Sequence, residues 1–231
     1  MPYFYGFDMT YVVYVLPALI FALWAQFNVN STFKKYSKVQ SDRGMTGADA
    51  ARIILNANGL SHVKIERVSG NLTDHFDPKT NVIRLSESVH DAQTAAAVGV
   101  AAHEAGHAVQ YAEGYAPMKL RAAIIPVTNI GSTLAFPLVL IGIALSFPTL
   151  AYAGVLFFGA SVVFQLVTLP VEFNASRRAV NALETSGMTE DGVKSAKKVL
   201  TAAALTYVAA LATAIGNFLR LLTIVNRSNR R

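Results

Sequence analysis

The chain has 231 residues, of which 53% are hydrophobic and only 15% are charged, whereas an average soluble domain has about 25% charged residues. This composition excludes intrinsic disorder and argues against an ordinary soluble domain. The net charge of +6 is what positive loops beside membrane spans produce, so we expect membrane lipid and no nucleic acid as a partner. Because the chain has no cysteine, disulfides, thiolate zinc ligands and a cysteine nucleophile are excluded.

Uncharged stretches locate the predicted membrane spans. Residues 9–33 have no charged side chain, and because a spanning helix needs about 20 apolar residues, they predict an N-terminal anchor. No basic segment precedes them, as one would in a cleaved signal peptide. Residues 122–171 are also uncharged and long enough for two spans, with a corner at Pro148 because proline interrupts helical hydrogen bonding. Residues 199–219 are uncharged but more polar, so we predict three to four spans.

The distribution of positive charge predicts the orientation of the chain. Lysine and arginine are concentrated in residues 34–120 and 172–198, while residues 1–33 contain neither. Positive loops remain in the cytoplasm, so we predict an integral protein of the cell membrane with both basic stretches inside. We divide the chain into an anchor at 1–33, a cytoplasmic domain at 34–120, a transmembrane hairpin at 121–171 and, at 172–231, two further helical stretches with a basic tail. The side on which that tail lies depends on whether the last uncharged stretch spans.

The segment 34–120 has the pattern of a small α+β domain. Thr46 and Asp49 have the spacing of a capping box, which predicts the start of an amphipathic helix, and Gly59 is typical of a helix end. Aspartate and proline within 74–78 favour a turn. These signals predict a helix from 46 to about 58, strands at 62–68 and 81–85 with turns between them, and an alanine-rich helix at 92–113.

An H-E-x-x-H motif, His103-Glu104-Ala105-Gly106-His107, stands within the alanine-rich helix. Positions i and i+4 lie on one helix face, so the two imidazoles can point at one metal ion. Neutral imidazole suits zinc, and the neighbouring carboxylate, Glu104, can take a proton from a water that zinc activates. The alternative is a buried helix with two structural histidines, which is unfavourable because polar groups on so apolar a helix are costly without partners.

A catalytic zinc ion needs a third protein ligand. Glu113 stands six residues after His107, where an extended form of the motif has a histidine, and it can ligate only if the helix breaks there. Glu172 stands where the uncharged hairpin returns the chain to the membrane surface that it left, so it can meet the histidine pair. The alternative for Glu172 is a glutamate that only marks the end of a span.

Several segments beyond the motif carry a family resemblance. They are the N-terminal anchor and residues 46–52, 72–78, 84–86, 102–107 and 172–179. Together they resemble the YugP-type membrane zinc metallopeptidases, which are distant relatives of the HtpX and CAAX prenyl protease group. The resemblance implies a zincin-like domain of the gluzincin type, with His103, His107 and Glu172 as ligands of one Zn²⁺ and Glu104 as general base. One departure is Ser176, where HtpX-like relatives have an aspartate that supports a ligand histidine.

Peptide hydrolysis also needs a donor for the developing oxyanion. Tyr207 is our candidate, because it stands in the most polar of the uncharged stretches and a phenol there suggests an inward face. The alternative is an interfacial tyrosine of the kind that lines membrane surfaces. Arg177 and Arg178 are further candidates, although arginines at a span end more often mark its cytoplasmic side.

The sequence therefore predicts a mainly α membrane protein that acts as a zinc-dependent endopeptidase on a peptide or membrane-protein substrate. The strands near 63–85 offer an edge for an extended peptide. A second metal site at Asp74 and Asp77 is less favoured than a turn. The alternative function is a catalytically silent metal-binding scaffold or chaperone-like factor, against which the intact Glu104 argues. A small transporter fits less well because the first three spans contain no ionisable residue.

Overall fold

The chain is mainly helical with one small sheet in a computed structural model that describes residues 9–229. The helices in this range are α1 (Leu16–Tyr36), α2 (Gly47–Ala57), α3 (Glu87–His90), α4 (Ala95–Ala112), α5 (Ala116–Ala144), α6 (Pro148–Thr185) and α7 (Glu190–Ser228). The strands are β1 (Lys64–Val68), β2 (His75–Asp77) and β3 (Val82–Ser86). A mainly α protein with a small α+β part is thus confirmed. The first eight residues of the predicted anchor and the last two of the basic tail lie outside the described residues.

Four helices are long enough and apolar enough to cross a membrane. They are the continuous helix Tyr11–Tyr36, whose first turn is π-helical, and α5, α6 and α7. Three of them contain the predicted anchor and hairpin, and α6 begins at Pro148, the predicted corner. The fourth, α7, contains residues 199–219, so length and composition favour the larger of the two predicted span numbers.

The chain forms two compact units. Among the described residues, unit 1 comprises 9–24, 120–169 and 207–229, and unit 2 comprises 25–119 and 170–206. In unit 1, α5 and α6 pack closely at glycines. A Cβ on Gly154 would lie 2.6 Å from the Ala135 carbonyl oxygen, so a larger residue there would force the two helices apart.

The sheet belongs to unit 2 and has the strand order β1-β3-β2. β1 pairs with β3 in parallel, with Ile65 opposite Ile83, and β2 pairs with β3 in antiparallel, with Phe76 opposite Ile83. The sequence predicts β1 and β3 but assigns residues 74–78 to a turn. That assignment is wrong for His75–Asp77, because the partners that hold this strand lie far from it in the sequence.

The core of unit 2 surrounds α4. Because α4 consists largely of alanine and glycine, α2 and α6 approach its axis closely. A Cβ on Gly106 would lie only 2.7 Å from the Ala175 carbonyl oxygen of α6. The start of α2 is the predicted capping box, in which the side chains of Thr46 and Asp49 each accept a hydrogen bond from the other's backbone. That prediction is confirmed.

Candidate metal centre

The H-E-x-x-H motif lies on helix α4, which is largely buried and is capped at its N-terminus. The Thr94 side chain accepts the Ala97 N–H at 3.3 Å and closes the first turn. One turn apart on the same face, the rings of His103 and His107 lie with centroids 4.6 Å apart and planes at 81°. The i and i+4 spacing thus places both imidazoles side by side, as the sequence predicts.

Glu172 of α6 completes a cluster of three side chains. Its Oε2 lies 3.2 Å from His103 Nε2 and 3.4 Å from His107 Nε2, and the residue is 2% exposed. The close packing of α6 against Gly106 makes this approach possible. Within residues 9–229, no other group of three His, Cys, Asp or Glu side chains converges closely enough to hold an ion.

The dimensions of this cluster fit a tetrahedral zinc ion. Two ligand atoms about 2.05 Å from a shared zinc ion lie about 3.3 Å apart at the tetrahedral angle. The two nitrogen–oxygen distances, 3.2 and 3.4 Å, are close to that value. Two imidazoles and a carboxylate are ligands that zinc accepts, and three protein ligands leave the fourth position that a catalytic site keeps open. The residues present therefore fit zinc.

Gln110 fixes the tautomer of His107. Fully buried, Gln110 donates from Nε2 to the Val171 carbonyl at 2.8 Å and to Asn174 Oδ1 at 2.9 Å. Its Oε1 therefore faces His107 Nδ1, 2.9 Å away, and accepts a hydrogen bond from the Nδ1–H. Because Nδ1 donates, the lone pair of the neutral ring is on Nε2, the atom that faces the carboxylate. Sequence reasoning missed Gln110, although its position three residues after His107 places it near the same helix face.

Two further residues of α6 support the cluster from behind. Ser176 Oγ lies 3.1 Å from His103 Nδ1, so the serine occupies the role that the resemblance gives to an aspartate. Arg178 donates to Asn174 Oδ1 at 2.7 Å and forms a bidentate pair with Glu113 at 2.9 and 2.7 Å. Glu113 is thus engaged by an arginine and does not belong to the ligand cluster.

Strand β2 fixes the orientation of Glu104. The Phe76 N–H donates to Glu104 Oε2 at 2.9 Å, and Glu104 is 8% exposed. Asp74 precedes this strand and accepts the Ser86 N–H at 2.7 Å. Burial raises the pKa of Asp74 above its ordinary value, hydrogen bonds from Ser86 oppose the rise, and the charge of Glu104 adds to it. The hydrogen bond from the Phe76 backbone therefore holds one carboxylate oxygen of Glu104 in place beside the histidine pair.

The other predicted site residues have separate surroundings. Tyr207 is half-buried on α7 and belongs to unit 1, whereas the cluster belongs to unit 2, so its role stays a prediction. Arg177 is exposed, and Arg178 is engaged as described above. Asp77 accepts hydrogen bonds from the Lys79 backbone and Thr80 in the turn after β2 and from Arg84 of β3. It belongs to no metal-binding group found in the described residues.

Helices long enough to span a membrane, combined with an H-E-x-x-H helix that a distant glutamate completes, define the class of membrane zinc metallopeptidases. The comparison with known families agrees. The chain belongs to the family described as "putative neutral zinc metallopeptidase", which matches residues 11–226. It is 46% identical over 217 residues to the "Putative membrane protease YugP" of Bacillus subtilis (strain 168), covering 94% of this chain and 96% of that protein. No solved structure matches. The family resemblance predicted from the sequence is confirmed.

Proposed function

We propose that this chain is a zinc-dependent endopeptidase of the cell membrane whose active site faces the cytoplasm. The observation that carries the proposal is the convergence of two imidazole Nε2 atoms on one carboxylate oxygen, with a second carboxylate beside them. We assign His103, His107 and Glu172 as the ligands of one Zn²⁺ and Glu104 as the general base. Membership of a zinc metallopeptidase family supports this assignment.

Glu104 carries out the proton transfers of the proposed reaction. Bound zinc supplies a Lewis acid that lowers the pKa of a water and polarises the scissile carbonyl. Glu104 takes one proton from the attacking water through Oε1, since the Phe76 N–H engages Oε2, and the water oxygen forms a bond to the scissile carbonyl carbon. Glu104 then gives that proton to the amine nitrogen that leaves when the C–N bond breaks, which regenerates the carboxylate.

The proposed substrate is an extended segment of a peptide or membrane protein. In the described residues β2 pairs with β3 on one side only, so its other edge offers backbone groups to a further strand. The N–H of Phe76 on this edge already donates to Glu104 Oε2, so the edge lies beside the general base, and a substrate strand would use the backbone groups that Glu104 leaves free. A substrate strand bound there brings its peptide bonds next to the reacting groups.

We propose Tyr207 as the donor to the developing oxyanion, because a phenol hydroxyl can stabilise that charge with a hydrogen bond. Replacing Tyr207 by Phe removes only the hydroxyl. We expect kcat to fall about a hundredfold or more, which is typical for the loss of one oxyanion donor, while zinc content stays at wild type. A kcat within threefold of wild type would remove Tyr207 from the mechanism.

The decisive experiment compares Glu104→Gln with the exposed control Glu184→Gln, measuring zinc content and cleavage of unstructured peptides in detergent. We expect Glu104→Gln to keep one zinc ion and to lose activity by about 10²- to 10⁴-fold, while the control keeps both. Cleavage that survives in Glu104→Gln excludes this carboxylate as the base. A wild-type protein that binds zinc and cleaves neither peptides nor membrane proteins is instead the metal-binding scaffold.

The cysteine-free sequence allows a direct test of orientation. Glu184→Cys places one thiol at an exposed position on the cluster's side of the predicted hairpin, and Ser146→Cys places one at its corner. A membrane-impermeant maleimide added to intact cells should label position 146 and leave position 184 unlabelled until the cells are lysed. The reverse pattern would place the proposed active site outside the cytoplasm.

A further inference from the structure

A groove between α1 and α7 in unit 2 gathers four lysines. Its cavity of about 500 Å³ is lined by Lys35 of α1 and, along α7, by Lys194, Lys197, Lys198, Ala202 and Leu205. The α7 residues follow one another at intervals of one to four positions and cluster on one side of the helix. The sequence therefore collects three lysines on one side of α7, and the fold brings them to the basic end of α1.

Most of the positive charge in this groove has no acidic partner. Lys194 pairs with Glu190 at 2.7 Å. In the part of the chain that the structure describes, no carboxylate lies within ion-pair distance of Lys35, Lys197 or Lys198. Ammonium groups that share one concave surface repel one another, so the groove offers a favourable potential to an anion.

The groove stands at the junction between charged and uncharged sequence. The uncharged residues 9–33 end just before Lys35, and the uncharged residues 199–219 begin just after the lysines of α7. Both helices are long and apolar enough to span, so we expect these lysines to lie where the helices leave the hydrocarbon region, at the depth of lipid phosphates. Ala202 and Leu205 lie within the uncharged stretch. The cavity is thus cationic at one end and uncharged at the other, where Asn28, Thr32 and Thr201 also line it.

We propose that this groove binds a phosphate-bearing anion, held between Lys35 of α1 and the Lys197–Lys198 pair of α7. The same chemistry is offered by the phosphodiester of an anionic phospholipid, such as phosphatidylglycerol, and by free phosphate. At the uncharged end, the polar side chains suit the glycerol of a lipid, and Ala202 and Leu205 suit the first carbons of an acyl chain. Free phosphate lacks both contacts. The site lies outside the catalytic residues and is independent of the peptidase proposal.

The test uses the full-length protein in detergent and titrates it with phosphatidylglycerol or phosphatidylcholine, with binding measured by native mass spectrometry. Wild type should bind phosphatidylglycerol in preference to phosphatidylcholine. The double variant Lys197→Gln, Lys198→Gln should lose about twenty-fivefold in phosphatidylglycerol affinity, from a contribution of about fivefold per lysine. Lys35→Gln, on the other helix, should lose about fivefold.

The matched control is Lys34→Gln, Lys38→Gln, which removes the same charge from neighbouring exposed lysines that do not line the cavity. It should change affinity by less than about threefold at 0.15 M salt, where surface charges are screened. Equal losses in both double variants, or no preference for phosphatidylglycerol in wild type combined with no binding of inorganic phosphate, would overturn the proposal. With the preference present, release of the bound lipid by 10 mM inorganic phosphate identifies a free anion as the ligand, and retention identifies the lipid.

Discussion

Gln110→Met tests whether the network behind the cluster orients His107. Methionine has nearly the shape of glutamine but cannot accept the hydrogen bond from His107 Nδ1–H or donate to Val171 and Asn174. These three hydrogen bonds measure 2.8 to 2.9 Å. Loss of a partner that orients a metal-ligating histidine typically costs ten- to a hundredfold in metal affinity, which is about 1.4 to 2.8 kcal/mol. The buried Nδ1–H of His107 also loses its acceptor, and an unpaired buried polar group costs about 1–3 kcal/mol of stability.

The assay measures zinc affinity by competition with a chromophoric chelator at pH 7.5, and the melting temperature of the zinc-free protein. Gln26→Met is the matched control, because Gln26 is exposed on α1 and its side-chain amide donates to Asn30 at the surface. We expect the control to match wild type in both measurements. A Gln110→Met protein that folds and binds zinc within twofold of wild type would refute the reasoning, since His107 would then need no fixed partner.

Two further predictions concern unit 2: the close packing of α4 against α6 at Gly106, and the hydrogen bonds that Asp77 accepts at the end of β2. Gly106→Ala places a Cβ 2.7 Å from the Ala175 carbonyl oxygen, so α4 and α6 must separate, at about 1–3 kcal/mol. We expect a lower Tm and weaker zinc binding. The control Gly159→Ala, whose Cβ would have an ordinary 3.5 Å contact, should change neither quantity. Equal behaviour of the two variants would contradict the packing argument. Hydrogen bonds from Thr80, then from Arg84 and the Lys79 backbone, hold the pKa of Asp77 below its ordinary 3.8. The ionised Asp77 side chain therefore stabilises the fold above pH 3.8, and this contribution is lost on acidification. The Tm difference between wild type and Asp77→Asn should shrink as the pH falls below 3.8. A difference that stays constant would contradict this linkage between ionisation and stability.

Features whose partners are close in sequence were predictable. The capping box joins Thr46 to Asp49, and the histidines of the motif are four residues apart, so helical geometry alone fixes both relationships. Glu172 is distant in sequence from the histidines, yet its place at the end of an uncharged hairpin constrained it to the surface from which the hairpin started. The structure places it beside them.

Features that depend on distant partners were not predictable. Asp74 and Pro78 favour a turn, and the sequence between them gives no sign that β3 and the carboxylate of Glu104 will hold it as a strand. Gln110 was missed for the same reason, since two of its three partners lie on α6. The sequence around Gln110 does not indicate which distant backbone or side-chain groups its amide will contact.

The pair between Glu113 and Arg178 has a consequence for how related chains diverge. Arg178 also donates to Asn174. Loss of Glu113 would leave the Arg178 guanidinium without its counter-charge. Loss of Arg178 would leave the Glu113 carboxylate without its partner and would free the Asn174 side chain. Either change by itself is unfavourable, and a joint replacement that restores complementarity is tolerable. In an alignment of relatives we therefore expect positions 113 and 178 to covary, so that the contact between them can be detected from sequences alone.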